Sequence, residues 1–337
     1  MSERRYNPLL DEWVLCSPGR LKRPWLGQRD EKNRPSTSSY DPECYICPGN
    51  RRASGVLNPE YEHVFVFDND YPALVDEHGP SRESAHPLLL SEPERGRCRV
   101  VSFSPRHDVH LGELSKGAVR RVVDSWAEET ERLHVDDGAA FVQVFENRGA
   151  MMGASNAHPH GQVWGVSKVP TLPSRKAGTQ ARYWAEHGRD LLGDYLREEL
   201  GRAERIVEAN PYWVHLVPFW AVWPFETMLV PRRCVSSLAE LDDRERDALA
   251  ELIGSLTRRY DAVFDTPFPY SMGWYQRPRD GERHDGSRLH AVYLPPLVRS
   301  ATVRKFLVGY ELTSEPQRDF DAEEAAERLR ASGKASS

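Results

Sequence analysis

Apolar and polar residues along the chain fall into two kinds of stretch: short runs with a period of two, and longer runs with helical spacing. Residues 141–145 alternate well enough to read as a strand, and 64–67, 99–103 and 163–166 read the same way. Trp13-Val14-Leu15-Cys16 is a further short strand near the start. Residues 114–133 place Val119, Val122, Val123 and Trp126 on one side, which predicts an amphipathic helix. Two more helices are predicted over 183–199 and 238–264. The second is opened by Asp242-Asp243, whose negative charge suits a helix N-terminus. The most apolar region, 212–225, is broken by His215, Pro218 and Pro224, so it reads as buried strands around a Trp223-Pro224-Phe225 corner. Residues 270–275 and 289–294 read as paired strands joined by a charged loop, and 167–178, rich in Pro, Ser and Lys, as a boundary.

The two halves repeat each other. Val101-Ser102-Phe103-Ser104-Pro105-Arg106-His107 followed by Leu111-Gly112-Glu113-Leu114 is echoed by Leu229-Val230-Pro231-Arg232-Arg233-Cys234 followed by Leu238-Ala239-Glu240-Leu241. A helix, a strand, a glycine-containing charged loop and a histidine strand come next in both, about 130 residues apart, a repeat of domain size. The pattern predicts an α+β fold made of a duplicated unit, antiparallel sheets with packed helices. The expected parts are residues 1–168, residues 169–331 and a small, polar, disordered tail at 332–337. Only the first half holds His158-Pro159-His160-Gly161-Gln162; the second has Leu289-His290-Ala291-Val292, so one catalytic centre per chain is expected.

The 337 residues are ample for a core, and a net charge of -6 without a basic stripe argues against nucleic-acid binding. Five cysteines form no disulfide framework, no apolar signal core follows the N-terminus, and no run is long enough for a membrane span. A soluble cytoplasmic protein is expected.

Candidate chemistry concentrates at 147–164. A loop rich in Gly, Ser and Asn offers backbone N–H groups to a phosphate, and Gly161 removes a side chain where the backbone would approach a bound group. His158 and His160, one residue apart in extended chain, point to the same side. Together they suit attack on phosphorus by an imidazole. Cys44-Tyr45-Ile46-Cys47, with Pro48-Gly49-Asn50 behind it, reads as a metal knuckle more readily than as a redox pair, which would want a helix starting at the motif. Two thiolates leave two further N or S ligands to come from elsewhere.

His158 to Gln162, preceded by Glu146-Asn147-Arg148-Gly149 and Gly153-Ala154-Ser155-Asn156, resembles the signature of the galactose-1-phosphate uridylyltransferases, which belong to the histidine-triad superfamily. Arg5-Tyr6-Asn7-Pro8-Leu9, Lys22-Arg23-Pro24-Trp25, Asp41-Pro42-Glu43-Cys44, Trp223 to Thr227 and the stretch 299–310 also look like family segments, so the resemblance covers nearly the whole chain. It implies a duplicated histidine-triad-like unit and a ping-pong reaction: His160 attacks UDP-glucose, releases glucose 1-phosphate, and passes the uridylyl group to galactose 1-phosphate to make UDP-galactose. It implies a structural Zn2+ on Cys44, Cys47, His107 and His158. Nucleotide contacts are implied for Asn69, Asp70, Asn147, Gly153, Ser155 and Gln162. The sugar phosphate is implied to meet Arg20, Arg23, Lys305, Phe306, Val308, Tyr310, Glu311 and Gln317, all of them across the interface of a homodimer. Phe306, Val308 and Tyr310 also read as an alternating strand packed on a core.

Gln162 separates transfer from hydrolysis. Histidine-triad hydrolases carry a third histidine there, able to move protons for water; an amide cannot, so the intermediate should wait for an acceptor that brings its own anionic nucleophile. Some family members hold a second metal on one Glu and three His. Here His290 matches one ligand, Tyr275 and Val292 stand in place of two others, and no acid lies between Val169 and Arg182. A lone histidine binds transition metals poorly, so no second metal is expected, iron in particular. Two alternatives stand beside this reading: a related transferase or phosphorylase acting on an ADP- or GDP-sugar, and a non-catalytic nucleotide-binding scaffold.

Overall fold

The computed structural model describes residues 3–16, 38–76, 86 and 88–334. In chain order the elements are β1 (Glu3–Asn7), β2 (Glu12–Cys16), β3 (Phe65–Asp68), β4 (Gly96–Ser102), α1 (Lys116–Val135), β5 (Phe141–Arg148), β6 (His160–Val166), α2 (Thr171–His187), α3 (Leu191–Arg202), β7 (Ile206–Ala209), β8 (Trp213–Leu216), β9 (Thr227–Pro231), α4 (Asp243–Phe264), β10 (Tyr270–Tyr275), β11 (His290–Leu294), α5 (Tyr310–Thr313), β12 (Gln317–Arg318) and α6 (Ala322–Lys334). The class is α+β, as expected. No helix among the described residues is long and apolar enough to cross a membrane.

Nine strands form one antiparallel sheet in the order β3-β4-β6-β5-β10-β11-β9-β8-β7. The repeat is visible in that order: β3-β4-β6-β5 meets its counterpart β10-β11-β9-β8 head to head, because β5 and β10 pair with each other, Tyr270 opposite Arg148 and Gly273 opposite Phe145. The halves are therefore not two separate sheets, as expected from the sequence, but one sheet with a near two-fold relation at its centre. The break expected at 168/169 falls between β6 and α2. A smaller sheet, β1-β2-β12, includes one parallel pair, Gln317 with Leu15 and Arg318 with Cys16.

One face of the large sheet carries α1 and α4. Val119, Val122, Val123 and Trp126 are all buried there, as their spacing predicts. Trp126 of α1 joins Trp274 of β10 and Trp213 of β8 in a line of tilted and edge-on rings. Burial of a side chain this size makes Trp126→Ala worth about 3–5 kcal/mol of stability. Helix α4 begins with a capping box, Asp242 accepting from the Glu245 N–H while the Glu245 carboxylate accepts from the Asp242 N–H. That fixes its start at Asp243; residues 238–240 are a separate 3-10 turn.

The opposite face differs between the halves. Over β8, β9 and β11 it is covered by α3 and the β1–β2 hairpin through Leu9, Val14, Leu191, Leu192 and Leu196. Helix α2 lies beside them, with the Thr179 hydroxyl donating to the Leu9 carbonyl at 2.9 Å. Residues 171–178, within the stretch expected as a boundary, belong to α2: Pro173 sits in the first turn, where no intrahelical N–H is required. Gly188, at φ 65°, then ends α2, and Asp190 caps α3, so the single helix expected over 183–199 is two. Helix α6 runs to Lys334, so residues 332–334, expected in the disordered tail, are helical; the Ser332 hydroxyl donates to the Arg259 carbonyl at 3.0 Å.

Candidate active site and metal centre

Alternation along β6 decides what faces where. Gly161 and Val163 turn to the helices; His160, Gln162 and Trp164 turn to the other face, which no described helix covers over this half. The strand begins at His160, three residues before the predicted start. A Cβ on Gly161 would lie 2.9 Å from the Phe103 ring and 3.0 Å from the Phe145 carbonyl oxygen, so the glycine is demanded by packing inside the sheet, not by a bound group. On β5 the same period sends Glu146 and Arg148 to the helices and Asn147 to the open face. Arg148 makes a two-pronged ion pair with Asp261 of α4, at 2.8 and 2.9 Å, and so fixes the start of the loop that follows. Glu146, fully buried, accepts from the Tyr270 hydroxyl at 2.9 Å; burial pushes its carboxyl up to about 7.

Gly149 and Gly153, at φ 84° and 81°, bracket a 3-10 turn at Ala150–Met152. Non-glycine residues would be strained at both positions. The expectation that this loop offers its backbone N–H groups to a ligand does not hold for all of them. Those of Gly153 and Ala154 are used within the turn, on the Ala150 and Gly149 carbonyls. Ser155, the Asn147 amide and the Gln162 amide line a small pocket with Phe145 and His160.

His160 Nδ1 lies 2.7 Å from the His158 carbonyl oxygen. A carbonyl can only accept, so Nδ1 carries the proton and the lone pair is on Nε2. Burial outweighs that hydrogen bond and holds the His160 pKa below its ordinary value, so the imidazole is neutral at pH 7.

The His158 side chain turns the other way. Its Nδ1 is 3.5 Å from the Cys47 sulfur, and His107 Nδ1 is 3.7 Å from the same atom. Cys44, Cys47, His107 and His158 are all buried, and one ligand atom from each lies within 4.8 Å of the others. The set fits a tetrahedral ion held by two sulfurs and two nitrogens. His158 Nε2 is 2.8 Å from the Ser104 carbonyl, which fixes its proton there and leaves Nδ1 for the ion. Burial pushes the Cys47 thiol up to about 11, so paired thiolates need a cation beside them. Asn156 links this cluster to the chain entering β6: its amide donates to the Cys44 sulfur at 3.4 Å and its oxygen accepts from the His158 N–H at 2.8 Å.

Asn69, just after β3, reaches the site and donates to Gln162 Oε1 at 3.4 Å. Asp70 turns away, paired with Arg52 at 3.5 Å. Lys305, Phe306, Val308, Tyr310, Glu311 and Gln317 do not line the His160 pocket. Lys305 is buried between Glu311 and Asp319, at 3.2 and 3.1 Å. Phe306, Val308 and Tyr310 do not form the packed strand their alternation predicted; they are exposed, in irregular chain and the short α5, because no described element packs over them. Gln317 is buried in β12, beside β2. Arg20 and Arg23 lie outside the described residues.

At the repeat's matching position, His290 Nδ1 is 2.9 Å from the Arg288 carbonyl. Tyr275 stacks on the His290 ring, and Lys176 of α2 reaches in, its Nζ 3.5 Å from His290 Nε2 and 3.3 Å from the Tyr275 ring centre. Sequence reasoning missed Trp164, Asn156 and Lys176. Trp164 was within reach: moving the strand start to His160 puts it on the face of His160 and Gln162.

A duplicated α+β fold with a neutral imidazole at its open half, facing a pocket lined by side-chain amides, has the make-up of a nucleotidyltransferase. Residues 1–170 match the N-terminal domain of galactose-1-phosphate uridyl transferase, and residues 176–336 its C-terminal domain. The galactose-1-phosphate uridylyltransferase of Haemophilus influenzae is 49% identical over 97% of this chain and 93% of its own; that of Rattus norvegicus is 50% identical over 97% and 86%. A solved uridylyltransferase structure, 26% identical, covers 100% of this chain and 99% of its own at a TM-score of 0.78. The chain belongs to the galactose-1-phosphate uridylyltransferase family.

Proposed function

We propose that the protein transfers a uridylyl group from UDP-glucose to galactose 1-phosphate through a covalent intermediate on His160. The observation that carries this reading is the Nδ1–H bond from His160 to the His158 carbonyl, which leaves Nε2 as a neutral nucleophile aimed into the pocket. Attack by Nε2 on the α-phosphorus expels glucose 1-phosphate, and the phosphoramidate formed is itself a good leaving group. Charge growing on the phosphoryl oxygens meets the Gln162 and Asn147 amides and Ser155. Galactose 1-phosphate then takes the uridylyl group, and neither step asks Gln162 to move a proton.

The Cys44, Cys47, His107 and His158 site holds Zn2+ in this reading. All four positions are protein ligands, so the ion supplies fixed geometry, not a reactive centre. Its consequence for catalysis runs through the chain's own bonds: a held His158 presents its carbonyl to His160 at a constant angle. Asn69 lies against the nucleotide through its bond to Gln162.

The sugar-phosphate segment stands apart from the pocket, and its Gln317 lies in the small sheet beside β2. Its exposed Phe306, Val308, Tyr310 and Leu312 suit a homodimer in which one subunit's small sheet completes its partner's pocket.

Intact-protein mass after incubation with UDP-glucose and no acceptor tests the reading. A uridylyl-sized gain, absent in His160→Ala, absent with ADP-glucose and GDP-mannose, and discharged by galactose 1-phosphate, is expected. Free UMP without an adduct would mean a hydrolase, and an adduct with another nucleotide alone would change the donor.

A further inference from the structure

The Gln162 amide has one acceptor and two donor hydrogens, and which end faces the pocket decides what it can do. Its Oε1 is met by two groups. The Trp164 indole Nε1 lies 2.9 Å away, and Asn69 Nδ2 lies 3.4 Å away. An indole N–H has no acceptor form, so the atom it meets on Gln162 must be the oxygen. The Asn69 contact agrees independently: its own oxygen accepts the Tyr71 N–H at 2.9 Å, which leaves its NH2 end to face Gln162. With Oε1 occupied from both sides, Gln162 Nε2 is the end toward the pocket. Phe145, edge-on to Trp164 with ring centres 5.3 Å apart, holds the indole plane.

Resting on the reading that His160 is uridylylated beside Gln162, we infer that Trp164 is a positioning residue: its indole N–H locks the Gln162 amide with only donors facing the phosphoryl oxygens. Trp164 touches no reacting atom. It removes the flipped amide, whose carbonyl oxygen would repel a phosphoryl oxygen and accept from a water. The backbone alone does not enforce this, because a glutamine side chain rotates about its last bond with little preference.

The test is the single-turnover rate of adduct formation with UDP-glucose on the full-length protein. Trp164→Phe keeps a ring and loses the donor; it is expected to react about 10-fold more slowly, a fraction of what losing an oxyanion donor costs. Trp164→His keeps a five-membered ring with an N–H at the equivalent place and is expected to recover most of that loss. In a Gln162→Ala background, Trp164→Phe is expected to change the rate by less than about 2-fold, since the partner is gone. Melting temperature and bound metal, followed in every variant, separate this from a packing defect, and Trp164→His carries the test if Trp164→Phe does not fold. An equal loss in both backgrounds, no loss in either, or no recovery with histidine would overturn the inference. Absence of any adduct in the unaltered protein would instead overturn the reading beneath it.

Discussion

The two halves of the sheet present the same imidazole in the same way, and only one of the two faces a pocket bordered by a glycine loop. His160 and His290 each set Nδ1 against the carbonyl two residues back, at 2.7 and 2.9 Å. What differs is the layer above. Over β5 and β6 the face is bordered by a glycine loop and lined by Asn147 and Gln162; over β10 and β11 their places are taken by Tyr275 and Val292, and α2 lies on top. Lys176 fills the space where a phosphoryl group would sit by analogy. Burial, then the Lys176 charge, push the His290 pKa down to about 3. The comparison teaches that strand geometry alone orients the imidazole, whereas what it can reach depends on what covers the strand.

The largest effect should separate the histidines. His160→Ala is expected to abolish adduct formation and slow turnover by roughly 10^4-fold or more, as loss of a covalent nucleophile does. His290→Ala should stay within about 3-fold in kcat, an ordinary result for a position outside the site. A deep loss in His290→Ala, measured by steady-state kinetics, would break the comparison.

Next come the residues beside each imidazole. Gln162→Glu sets a carboxylate against the phosphoryl oxygens and should cost about 10^2–10^3 in the single-turnover rate. Val292→Gln places the same amide beside His290 and is expected to give no adduct there, because Lys176 and α2 keep that face closed.

Metal removal should be equally lopsided. Stripping the ion with a chelator is expected to lower the melting temperature by about 10 °C, in line with a loss of a few kcal/mol. Amide exchange should rise at 44–47 and 156–162 and stay slow at 270–275 and 290–294. Uniform acceleration would show that the cluster supports the whole sheet.

The smallest effect is a pH dependence. Burial pushes Lys176 down to about 7 against the pull of Glu226 and Glu12. Between that value and an ordinary lysine value near ~10.4, the unfolded chain holds a proton that the folded chain lacks, so this group's contribution to stability rises with pH across the window. Lys176→Met removes the term. The variant's stability relative to the parent should be most favourable at pH 7 and below and should fall toward pH 10. Urea midpoints at pH 6.5 and 9.5 check the sign.

Much of this was legible in the chain itself. The spacing of Val119, Val122, Val123 and Trp126 specified a helix face, because a buried stripe must recur every three to four residues. The echo between the halves specified a duplication, and Cys44-x-x-Cys47 with the histidine loop supplied three of the four members of the buried Cys and His cluster. These are local or repeated features, and local geometry carries them. The tertiary structure alone decided the rest. Pairing of β5 with β10 turned two expected sheets into one, since either edge strand would otherwise leave its backbone groups unpaired. Residues 167–178 read as a boundary for their Pro, Ser and Lys, yet α2 begins within them at Thr171, because Pro173 falls in a first turn and the helix packs on a sheet face that needs covering. The same packing brings Lys176 to His290, 114 positions away, and the fold likewise brings Asn69 to Gln162 from 93 positions away. No periodicity records such contacts: they arise only when sheet order and helix placement fix which surfaces meet.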